Sequence, residues 1–183
     1  MSGTNQQYHN IISMCEEIFL DKTKDYGTSW RVLRTISIVD QIYIKAQRIR
    51  NIQETGEQKI ADDINQEFIG IINYSIIGLI QLHLSEEDPE ELEYKKAQDL
   101  YHTYFLASYT LMQSKNHDYG EAWRNMTQES FVDLIIMKLQ RMRQIVSNKG
   151  KTLISEGLDA NYFDMINYAV FALILQQEQE QPI

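Results

Sequence analysis

Five carboxylates, Asp63, Glu67, Glu156, Asp159 and Asp164, fall in two related stretches, IADDINQEFIGIINY (60–74) and ISEGLDANYFDMINY (154–168). Asp63 and Glu67 stand one helical turn apart, as do Glu156 and Asp159, so each pair shares a helix face. Carboxylate-only groups suit Mg²⁺ or Mn²⁺, hard cations that retain water and share phosphate oxygens. Asp164 interrupts an apolar run between Phe163 and Met165. A single acid in such a helix either pairs with a cation or binds a metal. The structural alternative is a bridge from Asp164 to a Lys or Arg of the preceding helix.

Cations precede both stretches. Lys45 and Arg48 in the first half, and Lys138 and Arg141 in the second, lie about one turn apart among apolar neighbours. Two such cations can clamp a phosphate, and they can equally snorkel or join interhelical ion pairs. Asp40 and Asp133 accompany them, three residues after Ser37 and Ser130, in capping-box spacing. Arg31 and Arg124 are further candidate phosphate ligands, or partners for Asp25 and Asp118.

Those last residues belong to a phrase written twice, KTKDYGTSWR (22–31) and KNHDYGEAWR (115–124). Asp25, Tyr26, Gly27 and Trp30 recur as Asp118, Tyr119, Gly120 and Trp123 at a constant spacing of 93. The glycine suits a left-handed helix cap and the tryptophan a core anchor. The acid opposes the helix dipole there and requires a donor or cation. The echo extends over Tyr8-His9 and Tyr101-His102, and at a spacing of 94 over Asn73-Tyr74 and Asn167-Tyr168. The chain is therefore a duplication, repeat 1 (8–84) and repeat 2 (101–178), joined by an acidic linker (85–91) and followed by a polar tail (179–183).

Each repeat reads as three long helices plus a short one. In repeat 1 these are about 6–25, a segment around Trp30, a helix from Ser37, and one over 61–84. In repeat 2 the long helices start near Pro89 (with Asp88 as N-cap), Ser130 and Ser155. No alternating strand pattern is present. The expected fold is a single all-α domain, a helical bundle of two tandem pseudo-symmetric repeats that bury one another's apolar faces.

The 183 residues suffice for one well-buried domain, and 43% hydrophobic with 23% charged residues is globular composition. A net charge of −9 argues against coating nucleic-acid backbone. The single Cys15 precludes an internal disulfide and fits a reducing compartment; Ser108 stands at its repeat position, which argues against a catalytic thiol. The stretch MSGTNQQYHN shows neither a basic n-region nor an apolar h-region, so no signal peptide is expected, and the most apolar run, 68–84, contains Asn73, Ser75 and Gln81. A cytoplasmic protein without membrane contact is expected. His117 replaces Lys24 as a surface cation, while His9 and His102 beside tyrosines read as structural.

DYGxxWR, DxxxxKxxR and SEGLDANYFDMINYAVFAL together resemble the nucleotide-modification-associated domain family of bacterial and phage proteins. The resemblance covers both repeats, is closest over 115–175, and implies association with nucleotide metabolism or base modification. The chain is more distantly similar to the all-α nucleoside triphosphate pyrophosphatases, which hold Mg²⁺ on E-x-x-E and E-x-x-D helices. Here the E-x-x-D is split, Glu67 with Gly70 and Asn161 with Asp164, and the E-x-x-E is missing. Two readings follow. One is a nucleotide-handling, Mg²⁺-dependent pyrophosphohydrolase-like enzyme with one composite site between the repeats. The other is a module that binds a nucleotide or a partner without catalysis. The base, the sugar and the oligomeric state are not encoded legibly, and a homo-oligomer is open.

Overall fold

The computed structural model describes residues 3–57, 63–151 and 157–180. Among these residues there are six α-helices, two 3₁₀ turns and no strand. Repeat 1 contains α1 (Gly3–Tyr26), a 3₁₀ turn at Ser29–Val32, α2 (Thr35–Thr55) and α3 (Ile64–His83). Repeat 2 answers with α4 (Tyr94–Tyr119), a 3₁₀ turn at Ala122–Asn125, α5 (Gln128–Ser147) and α6 (Leu158–Glu180). The all-α duplicated bundle is thus the observed architecture.

The helices form three two-helix layers. α3 and α6 pack extensively on one another in the middle; α2 and α5 cover one side, α1 and α4 the other. Because the middle pair is covered on both sides, α3 and α6 are apolar nearly all round, with Ile71, Ile72, Ile76, Met165, Ile166 and Ile174 fully buried. None of the described helices is long and apolar enough to cross a membrane.

Paired positions tie each repeat to the other. The Tyr8 hydroxyl of α1 donates to Asn167 Oδ1 of α6 at 2.7 Å, and Tyr101 of α4 donates to Asn73 Oδ1 of α3 at 2.8 Å. Arg143 donates to Asp40 at 2.7 Å, and Arg50 approaches Asp133 at 3.9 Å, so α2 and α5 run antiparallel. These ties correct the capping assignment of Asp40 and Asp133. α2 opens at Thr35 and α5 at Gln128, two residues earlier than expected, so both acids lie past the first turn. Thr127 caps α5, its hydroxyl accepting from the Ser130 amide at 3.3 Å.

Other boundaries shift too. α4 starts at Tyr94, and Asp88 instead closes a linker turn by accepting from the Ser85 amide at 2.8 Å. That bond, against the opposing effect of desolvation, holds the Asp88 carboxyl below its ordinary value. Asp63 is the N-cap of α3, and α6 continues through 179–180, the start of the expected tail. The expected α6 start at Ser155 lies outside the described residues.

Candidate functional site

The DYGxxW phrase terminates α1 and α4. Gly27 (φ 66°) and Gly120 (φ 60°) occupy the left-handed region, where a side chain is disfavoured, and the chain then turns inward to bury Trp30 and Trp123. The Gly27 amide donates to Thr23 O at 2.9 Å. Asp25 and Asp118 are exposed, as are the rings of Tyr26 and Tyr119. The expected Asp–Arg pairs do not form, because both arginines are committed elsewhere. Arg31 donates to Gln81 and to the carbonyls of Ser85, Asp88 and Pro89, clamping the linker to repeat 1. Arg124 donates to Glu121 (2.6 Å), Glu178 (2.8 Å), Thr4 (2.7 Å) and Gln7 (2.9 Å), clamping the start of α1 to the end of α6. Both guanidinium groups thus donate to protein acceptors that tie separate segments together.

The expected metal ligands are also dispersed. Among the described residues no three His, Cys, Asp or Glu side chains form a group able to hold a metal ion. Asp63 accepts from the Asn65 amide and side chain, Asp159 is exposed, and Glu156 lies outside the described residues. Glu67 is held by Arg48 and by Lys45 at 3.4 Å. Asp164 sits between Lys115 and Lys138, each at 2.6 Å, with its side chain 9% exposed. Burial alone would push the Asp164 carboxyl up. The hydrogen bonds and charges of the two lysines outweigh burial and hold it below its ordinary value. Carboxylates neutralised in this way do not fit a Mg²⁺ site. Arg141 is half-buried and makes no ion pair with a described residue.

Two cavities occupy matching places, one lined by residues of repeat 1 and the other by residues of repeat 2. The repeat 1 cavity has a volume of about 640 Å³, and Lys22, Trp30, Lys45, Glu67, Gly70 and Ile77 are among its walls. The repeat 2 cavity holds about 140 Å³ against Lys115, Asn116, Trp123, Asp164 and Phe171. At the repeat spacings Lys22 corresponds to Lys115, Thr23 to Asn116, Gly70 to Asp164 and Ile77 to Phe171.

Three substitutions account for the difference in volume. In repeat 2 the Asp164 carboxylate fills the space between the lysines. The Phe171 ring lies parallel on Trp123, with centroids 4.2 Å apart and planes at 6°. Asn116 Oδ1 accepts from the Trp123 indole N–H at 3.2 Å. In repeat 1 glycine stands for the acid and isoleucine for the ring. The Lys45 stem lies directly over Gly70, where a Cβ would come within 2.7 Å of its Cε. Thr23 spends its hydroxyl on Phe19 O at 2.8 Å, and the buried Trp30 Nε1 has no hydrogen-bond partner among the described residues.

Repeat 1 thus presents a cavity of small-molecule size. It offers Lys22 and Lys45, an indole N–H lacking an acceptor, and a carboxylate, Glu67, at the rim. Lys45 was legible as a candidate from its spacing, and so was the contrast between Gly70 and Asp164. Lys22 and Lys115 are not among the sequence-based candidates; the signal that could have found them is their duplication at a spacing of 93.

No curated protein and no solved structure matches the chain. A family model described as nucleotide modification associated domain 1 matches residues 22–82 and again residues 115–175, spans that contain both cavities' walls apart from a few residues of α1 and α4. The chain belongs to that family, the nucleotide modification associated domain 1 proteins, and carries two tandem copies of its domain.

Proposed function

We propose that the chain binds a nucleotide or nucleotide-derived small molecule in the repeat 1 cavity, one molecule per chain, without catalysing its hydrolysis. The observation that carries this reading is the repeat 2 cavity, which its own side chains reduce to about 140 Å³ against about 640 Å³ in repeat 1. There a carboxylate lies between Lys115 and Lys138, and a planar ring lies on Trp123. Repeat 1 keeps both lysines and the tryptophan but lacks the acid and the ring. A ligand anion would take the place of the missing carboxylate, with charge-assisted bonds from Lys22 and Lys45. A base would lie against Trp30 and supply the acceptor that its N–H lacks. The family's association with nucleotide modification agrees with this ligand class. Because Glu67 and Asp164 are both engaged by cations, no metal-activated water is invoked.

Calorimetric titration with a panel of ribo- and deoxyribonucleotides tests the reading, with one site per chain expected. Gly70→Asp places in repeat 1 the acid that repeat 2 accommodates, once the Lys45 stem shifts off residue 70, and it should abolish binding while the chain keeps a single cooperative thermal transition. Undiminished binding by Gly70→Asp, or heat from no nucleotide, refutes the proposal. Release of pyrophosphate from a triphosphate with Mg²⁺, lost in Asp164→Asn, would restore the pyrophosphohydrolase reading instead.

A further inference from the structure

We infer that the repeat 1 cavity selects a nucleoside monophosphate over the corresponding triphosphate. The inference rests on the binding reading above and adds the class of ligand. It follows from the charges on the cavity wall.

Glu67 has its side chain 12% exposed and is engaged by Arg48, the shorter of its two ion pairs, and by Lys45 at the longer distance of 3.4 Å. The single Glu67 carboxylate is shared by Arg48 and Lys45 and does not offset both, while Lys22 adds a further positive charge to the cavity wall. Lys22 makes no ion pair with a described residue, and its counterpart Lys115 reaches the Asp164 carboxylate at 2.6 Å. Two positive charges match one terminal phosphate ester, which carries roughly −1.5 to −2 near pH 7.

The seat is also small. In repeat 2 the same two lysines close around one carboxylate, one contact to each oxygen. A triphosphate would bring further negative charge into this space, and such charge is normally neutralised by Mg²⁺ on protein carboxylates. Among the described residues no acid group is assembled for that ion. The buried Trp30 N–H also needs an acceptor, and a carbonyl or ring nitrogen of the base can supply it while the phosphate is held by the lysines.

The experiment titrates the full chain, with and without Mg²⁺, against mono-, di- and triphosphates of each nucleoside, and against inorganic phosphate and ribose 5-phosphate. One monophosphate is expected to bind at least tenfold more tightly than its triphosphate and than both base-free phosphates. Lys22→Met and Lys45→Met should each weaken that monophosphate at least tenfold. Glu67→Gln should narrow the gap between mono- and triphosphate.

A triphosphate that binds as tightly as the monophosphate overturns this inference while leaving the nucleotide site standing. Equal binding by ribose 5-phosphate overturns the role given to the base. Failure of every nucleotide to bind overturns the site itself, and with it the inference.

Discussion

Asp164→Asn removes one negative charge from between two lysines while keeping the side chain's shape. Lys138 is the buried partner: its side chain is 10% exposed, so its charge loses its counter-ion without regaining water. Lys115 is 48% exposed and returns readily to solvent. Breaking a buried pair by removing one partner costs about 3–5 kcal/mol. The amide oxygen still accepts a hydrogen bond and the Lys138 stem can snorkel, which places this variant near about 3 kcal/mol. For a chain of this size that corresponds to a fall in Tm of roughly 6–12 °C in scanning calorimetry.

The pH dependence supplies a second check. The folded Asp164 carboxyl titrates below its unfolded value, so its contribution is present in full above the unfolded value and is lost as pH falls through the folded one. The difference between wild type and Asp164→Asn should therefore be constant from pH 5 to 8 and shrink in strong acid. Replacing the pair by apolar groups, as Asp164→Leu with Lys138→Met, should recover much of the loss. A Tm change below about 2 °C, or a difference that persists unchanged in acid, refutes the view of Asp164 as the structural counter-ion of repeat 2.

Three further outcomes are expected. Tyr8→Phe and Tyr101→Phe each break a buried bond between the repeats and should lower stability by about 1–2 kcal/mol in urea unfolding, with the denaturant slope unchanged. Gly27→Ala forces an alanine to positive φ at a cost of about 1–2 kcal/mol and brings its Cβ against the flexible Glu91 carboxylate, whereas Gly120, at φ 60° and ψ −162°, lies where essentially only glycine is found; Gly120→Ala should be the more destabilising in parallel thermal melts. Cys15 is fully buried, and burial pushes its thiol pKa up, so a thiol-specific reagent at pH 8 should leave it unmodified until denaturant is added.

Helix content, duplication and the family were legible in the chain because they rest on local or repeated patterns. Apolar periodicity, Gly27 and Gly120 after helical runs, and positions recurring at a spacing of 93 or 94 need no tertiary partner to be recognised. The contrast between Gly70 and Asp164 was visible for the same reason. Which charge meets which was not, since pairing depends on how two helices lie in space. Arg31 and Arg124 stand six residues after Asp25 and Asp118, yet they reach a linker and the chain's two ends. Asp40 and Asp133 looked like caps until antiparallel packing of α2 on α5 set Arg143 and Arg50 against them.

The site divides in the same way. The sequence alone determined that one repeat keeps an acid where the other has glycine, and a phenylalanine where the other has isoleucine. Only tertiary structure decided that these positions share one cavity wall with Lys22 or Lys115 from a different helix, because only packing brings the end of α1 or α4 beside α3 or α6. Closing that space in repeat 2 and leaving it open in repeat 1 is a property of side-chain volume and charge in three dimensions.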